Sequence, residues 1–129
     1  MKFEYTIHGT PITKKNSHQI LINPKTKRPF IMPSKQYKAY EAEALKELGK
    51  PKRQSFEGRM NMRCHYYMPT RRKADLCNLI EATCDIFVKA GILADDNSSI
   101  VAGHDGSRVY YDKLNPRVEI CLEDLGDEQ

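Results

Sequence analysis

Between Gly58 and Pro69 the chain reads GRMNMRCHYYMP, with polar and apolar side chains in strict alternation. Met60, Met62, Cys64, Tyr66 and Met68 share one face, and Asn61, Arg63, His65 and Tyr67 the other, the two-residue period of a half-buried strand. The N-terminus repeats the pattern, with Phe3, Tyr5 and Ile7 alternating against Lys2, Glu4, Thr6 and His8. Gly9 and Pro11 break it into the loop GTPITKKNS. The short apolar runs HQILI and PFIM, separated by NPKTKR, predict a hairpin with a basic tip. The period then changes. Tyr37, Tyr40, Ala44, Leu45 and Leu48 recur at three- and four-residue steps after Ser34, a good N-cap, and before Gly49 and Pro51, which predicts a helix over 35–48. A second helix is predicted over 75–90, ended by Gly91, with Leu76, Leu79, Ile80, Thr83, Cys84 and Phe87 as its inner stripe. Three further strands are predicted at about 98–103, 107–112 and 117–122, with HDGSR and LNP as the turns between them. The order β, hairpin, α, β, α, β, β describes an α+β fold: one small domain over residues 1–122, a mixed β-sheet packed by two main helices. Residues 123–129 read as an acidic flexible tail.

Composition narrows the class without naming a chemistry. The 129 residues are 40% hydrophobic and 29% charged, ordinary for a globular domain. No apolar run approaches the roughly 20 residues of a membrane span, and the alternating N-terminus reads as a strand and not as an export signal. The expectation is a cytoplasmic protein without membrane contact. Four cysteines without a CxxC pair are then expected as reduced thiols, and a structural zinc site is disfavoured. No GxGxxG, P-loop or Ser-His-Asp pattern is present, and no organic cofactor is implied.

Charge distribution says more than the net +4. Residues 1–73 hold 17 Lys and Arg against 5 Asp and Glu, a net of +12, and residues 74–129 hold 4 against 12, a net of −8. The basic residues cluster as TKKNS, PKTKR, KPKR and TRRK, the electrostatic footprint of a phosphate-binding surface.

The acidic half contains a helix whose polar arc raises a chemical question. At 100° per residue Asp75, Asn78, Glu81, Asp85 and Lys89 fall within about 120°. Every amphipathic helix has such a face, and an N-cap role accounts for Asp75. Three neighbours point to more than solvation. The basic run Arg71, Arg72, Lys73 abuts Asp75, and Asp95 and Asp96 follow the helix closely, where ILADDN in extended form could carry them back toward it. Hard cations such as Mg²⁺ take carboxylate oxygens and complete their shell with water and substrate phosphate. Carboxylates rimmed by Lys and Arg suit metal-assisted phosphodiester cleavage. Elsewhere, His65 reads as a surface histidine, Asp105 as a turn residue and Tyr66 as core, while Tyr67 could stack on a base.

The stretch RRKADLCNLIEATCDIFVKAGILADDN resembles the core of the RusA-type Holliday junction resolvases, whose pattern is Asp-Leu-Asp-Asn-Leu, a helix, a Gly and an Asp-Asp pair at this spacing. GTPITKKNS and HDGSRVYYDKLNPRVEI resemble flanking regions of phage and prophage members, so the likeness spans most of the chain. It implies a homodimeric, Mg²⁺-dependent crossover junction endodeoxyribonuclease, with Mn²⁺ a possible substitute, that resolves four-way DNA junctions by paired nicks in recombination and repair. Asp75 and Asp96 match the family's metal-binding catalytic aspartates, with Asp95 beside the second. Cys77 replaces the motif's second aspartate, and Glu81 stands where members often carry lysine. The expectation is that Glu81 replaces the missing ligand, giving Asp75, Glu81 and Asp96 as catalytic and metal-binding carboxylates. Lys14, Lys15, Asn16, Arg71, Arg72 and Lys73 are assigned to DNA phosphates, with Lys25, Lys27 and Arg28 at the hairpin tip as candidates for the same role. Two rival readings remain: a non-catalytic or weakly catalytic protein that binds junctions and branched DNA, which Cys77 favours, and a basic protein-interaction module.

Overall fold

The computed structural model describes residues 1–14, 18–51 and 54–126, with the backbone alone at 18–20 and 30–33. Its centre is the alternating strand β4, Met60–Met68, whose even-numbered side chains from Met60 to Tyr66 are buried and whose odd-numbered ones are half exposed. β7, Arg117–Asp124, pairs antiparallel with β4, and β1, Lys2–His8, pairs antiparallel with the far side of β7. On the other side of β4 lie two short strands parallel to it, β5 at Val101–Gly103 and β6 at Arg108–Tyr111. The result is the expected α+β domain with a mixed five-stranded sheet. The predicted hairpin forms as a separate two-stranded sheet of β2, His18–Ile22, and β3, Pro29–Pro33. Asn23 shapes its basic tip, accepting from the Lys25 and Thr26 N–H groups, and Lys27 adopts φ 60°.

Both helices contribute to the core on one face of the large sheet. α1 spans Lys35–Leu48, with Ser34 as its N-cap accepting the Tyr37 N–H, and ends at Gly49 with φ 67°. α2 spans Leu76–Lys89. Its buried face holds Leu79, Thr83, Cys84 and Phe87 of the predicted stripe together with Ala82 and Ile86, while Leu76 and Ile80 are only partly covered. These side chains join Ile7, Met60, Met62, Cys64, Val118, Ile120 and Leu122 in one cluster, with the Tyr5 and Phe87 rings edge to face at 5.2 Å. The buried Tyr66 hydroxyl is matched to Thr83 Oγ1 at 2.7 Å, so the polar tip of a core tyrosine is satisfied. The opposite face of the sheet carries Arg63, His65, Tyr67 and Glu119, with ion pairs from Arg117 to Asp112 and Glu119 at 2.9 and 2.8 Å.

Two boundaries differ from the sequence reading. Residues 98–100 form a turn organised by Asn97, whose side chain and carbonyl accept the Ser99 and Ile100 N–H groups, so β5 begins only at Val101. β7 continues to Asp124, two residues into the stretch read as tail, because Asp124 still finds a backbone partner at Met1; residues 127–129 lie outside the described part. Between β5 and β6 the HDGSR turn is fastened to β4 by side chains: Asn61 exchanges hydrogen bonds with Asp105 at 2.8 and 3.1 Å, and Ser107 Oγ accepts the Cys64 N–H. Gly106 is required there, since its φ is +85° and a Cβ would stand 2.8 Å from the Arg63 side chain.

Candidate metal and nucleic-acid site

In an α-helix every fourth residue advances by only about 40°, so Cys77, Glu81, Asp85 and Lys89 form a ridge that winds slowly around α2. Its two halves have different surroundings. At the C-terminal half, Lys89 Nζ pairs with Glu41 of α1 at 2.9 Å and Asp85 receives Lys14 Nζ at 3.5 Å. Between them lies Tyr37, 1% exposed, whose hydroxyl has no hydrogen-bond partner among the described residues. Burial first, and then the Glu41 and Asp85 carboxylates, raise its pKa well above the usual phenol value. This half is a seam that joins α2 to α1 and to the N-terminal loop.

At the N-terminal half, Cys77 and Glu81 are exposed. Asp75, also exposed, is the N-cap of α2, its Oδ1 accepting the Asn78 N–H at 3.2 Å, which leaves Oδ2 for other work. Asp95 and Asp96 are exposed in the turn beyond the helix. The Asp96 N–H donates to Asp95 Oδ1 at 2.8 Å and Asn97 to Asp95 Oδ2 at 3.1 Å, and these two bonds hold the Asp95 carboxyl below its ordinary pKa. Cys84 is a buried thiol of the same helix. Its thiol is pushed up to about 12, by burial above all, then by Cys64 and by the negative charges of Asp96, Asp85 and Glu81.

The acidic turn does not run back along α2 in extended form, as the sequence reading expected. Ile92 and Leu93 are buried, Phe56 and Leu93 form a parallel bridge, and the Ala94 N–H donates to the Phe56 carbonyl, which pins the turn beside residues 56–60. Asp96 and Asp75 thus flank α2 from its two ends. Among the described residues, no three His, Cys, Asp or Glu side chains stand close enough to hold a metal ion together. A cation bound to Asp75, Glu81 or Asp96 would have few protein ligands and would rely on water and phosphate. That coordination is the habit of Mg²⁺, and the oxygen-only donor set suits it; the soft sulfur of Cys77 adds nothing for so hard an ion.

The basic residues divide in the same way. Arg71, Arg72 and Lys73 are exposed beside Asp75, with the Arg71 guanidinium 4.3 Å from the centre of the Tyr111 ring. Lys14, partly exposed, pairs with Asp85. Lys15 and Asn16 lie outside the described residues. Lys25, Lys27 and Arg28 are exposed at the hairpin tip. An aromatic group escaped the sequence reading: Tyr67 stacks on Tyr110 at 5.2 Å, Arg117 lies 3.9 Å over the Tyr67 ring, and His65 meets Tyr110 edge-on. The alternation in RVYYD was its only signal in the sequence.

Exposed carboxylates at both ends of α2 and the exposed run Arg71–Lys73 thus lie on one small α+β domain. The chain belongs to the endodeoxyribonuclease RusA family, whose model matches residues 8–123. No curated protein matches it. Among the described residues no helix is long and apolar enough to cross a membrane.

Proposed function

We propose that this protein is a Mg²⁺-dependent endonuclease that resolves four-way DNA junctions, acting as a homodimer so that two sites can cut two strands symmetrically. The observation that carries the reading is that Asp75, Glu81 and Asp96 are all exposed around α2, with Arg71, Arg72 and Lys73 exposed beside Asp75, in a RusA-family chain. When bound, Mg²⁺ supplies charge stabilisation at the phosphate and lowers the pKa of a water nucleophile. The chain's own part is to hold the substrate. Arg71–Lys73 neutralise phosphates beside Asp75, and Lys15 and Asn16 are assigned to the DNA backbone as well. Asp75 keeps one oxygen on the α2 N-terminus, which fixes the direction of the other. Glu81 supplies the negative charge that Cys77 does not. Mn²⁺ would serve in place of Mg²⁺.

The test is incubation of the purified protein with a synthetic four-way junction, with and without Mg²⁺ or Mn²⁺. Paired symmetric nicks only with metal are expected; a duplex cut equally well would sink the junction specificity. Glu81→Gln should lose cleavage as Asp75→Asn does, and a fully active Glu81→Gln would remove Glu81 from the ligand set. A second reading, a junction-binding protein with weak or no catalysis, is favoured by the exposed thiol of Cys77 and the absence of a converged acidic trio among the described residues. Junction binding without nicks in either metal would establish that reading instead.

A further inference from the structure

One row of side chains crosses the face of the sheet that the helices leave open. Arg117 of β7 stands opposite Tyr67 of β4, and Tyr67 stands opposite Tyr110 of β6. Neighbouring strands lie about 4.8 Å apart, so planar groups in such a row can stack. The Arg117 guanidinium lies 3.9 Å from the centre of the Tyr67 ring, and the Tyr67 and Tyr110 rings stack at 5.2 Å with 22° between their planes. Arg117 is itself fixed by Asp112 and Glu119 at 2.9 and 2.8 Å. His65 braces Tyr110 edge-on at 5.3 Å, while its own Nε2 meets the Gly106 carbonyl. Tyr67 has a cation on one face and a ring on the other, so it has no face for the base that the sequence suggested it could stack on. Tyr110 differs. One of its faces lies on Tyr67, yet it is 39% exposed, and β6 is an edge strand with β4 as its only partner among the described residues.

We propose that Tyr110 ends a stacking column that takes one unpaired DNA base, in the slot where the next strand of the sheet would stand. Such a platform tolerates any sequence, because every base has a π-face. In a paired duplex those faces are covered by neighbouring bases, whereas strand ends, single-stranded arms and interrupted stacks offer a base at little cost. The charges around β6 favour a nucleotide over an aromatic side chain of a protein. Arg108, next along the same face, and Lys113 just past the strand are exposed. The two carboxylates beside the column, Asp112 and Glu119, are already neutralised by Arg117. By strand alternation Tyr111 points to the other face, where it lies under the Arg71 guanidinium at 4.3 Å. One strand edge therefore separates the open ring from the Arg71–Lys73 run. The inference rests on the DNA-binding part of the proposed function and not on its metal chemistry. It adds a substrate feature, a preference for DNA with an unpaired base, and assigns its reader to the sheet face opposite α2.

The test measures binding of the full chain, without metal, to a single-stranded oligothymidylate, to the same strand built from abasic residues, and to a paired duplex. The parent chain should prefer the oligothymidylate to the duplex. Tyr110→Ala should weaken oligothymidylate binding about tenfold. It should leave duplex binding and the salt slope unchanged, since no phosphate contact is lost. Tyr110→Phe should bind as the parent does. Tyr110→Leu keeps an apolar cover over Tyr67 but no ring, and should bind as weakly as Tyr110→Ala, with circular dichroism and a melting curve checking the fold of both. The abasic strand offers phosphates without bases and should not distinguish the parent from either variant. Equal losses on the abasic strand and the oligothymidylate, or full affinity in Tyr110→Leu, would each overturn the proposal. So would a Tyr110→Ala chain that binds oligothymidylate as the parent does, and an altered sedimentation coefficient in that chain would assign the face to a protein. Binding that ignores Tyr110 leaves the DNA-binding reading standing, whereas a parent chain that binds none of the three strands removes both.

Discussion

Cys77, Glu81, Asp85 and Lys89 lie on one helical ridge, spaced four residues apart, yet the two halves of that ridge have opposite fates. Asp85 and Lys89 are neutralised across an interhelical seam by Lys14 and Glu41, next to a buried tyrosine. Cys77 and Glu81 stay exposed. The residue types hardly differ between the halves: each has one carboxylate. What differs is exposure: Asp85 is partly covered where it pairs with Lys14, and Glu81 faces solvent.

The comparison can be broken in several places. The largest effect is expected from Asp75→Asn and Asp96→Asn, each lowering metal-dependent cleavage by about 100-fold or more in single-turnover assays. Asn caps a helix about as well as Asp, so the melting curve of Asp75→Asn should hardly move; a large fall in stability would recast Asp75 as a structural cap alone. Phe87→Ala tests the buried side of the same helix. Its side chain is fully buried, and truncation should cost about 3–5 kcal/mol in denaturant unfolding. Next comes the direct contrast across the ridge. Glu81→Gln should lose cleavage while Asp85→Asn keeps most of it, and equal loss in both would abolish the division drawn here. Lys89→Met breaks a partly exposed pair and should cost well under about 1 kcal/mol, shrinking further in high salt. The smallest perturbation is a thiol titration. Cys77 alone should react quickly with a disulfide reagent at neutral pH, because Cys64 and Cys84 are buried and pushed up to about 12. For those two thiols the folded pKa lies above the ordinary value near 9. They therefore favour the folded state most below about pH 9, and that contribution is lost as pH rises from there toward 12.

Much of the fold was legible because short-range rules govern it. The alternation of β4 and the Ser34 and Gly49 signals of α1 depend on neighbours a few residues apart, as does the Asp75 cap, and all stand where those rules put them. The path of ILADDN was not legible. Whether Ile92 and Leu93 are buried against Phe56 depends on where residue 56 lies, and no local pattern encodes it. Nor could the sequence distinguish Lys14 from Arg71. Both stand in basic clusters, but one meets a carboxylate and the other an aromatic ring.

By itself the sequence determined the elements, the apolar faces that bury and the set of charged residues available for chemistry, because periodicity and capping act within a few residues. Only the tertiary structure decided which of those charges are paired, that the acidic turn stays beside residues 56–60, and that the RVYY strand is an edge with its outward backbone groups free of partners among the described residues. Pairing, burial and edge position depend on contacts between residues far apart in sequence, and those exist only once the sheet has assembled.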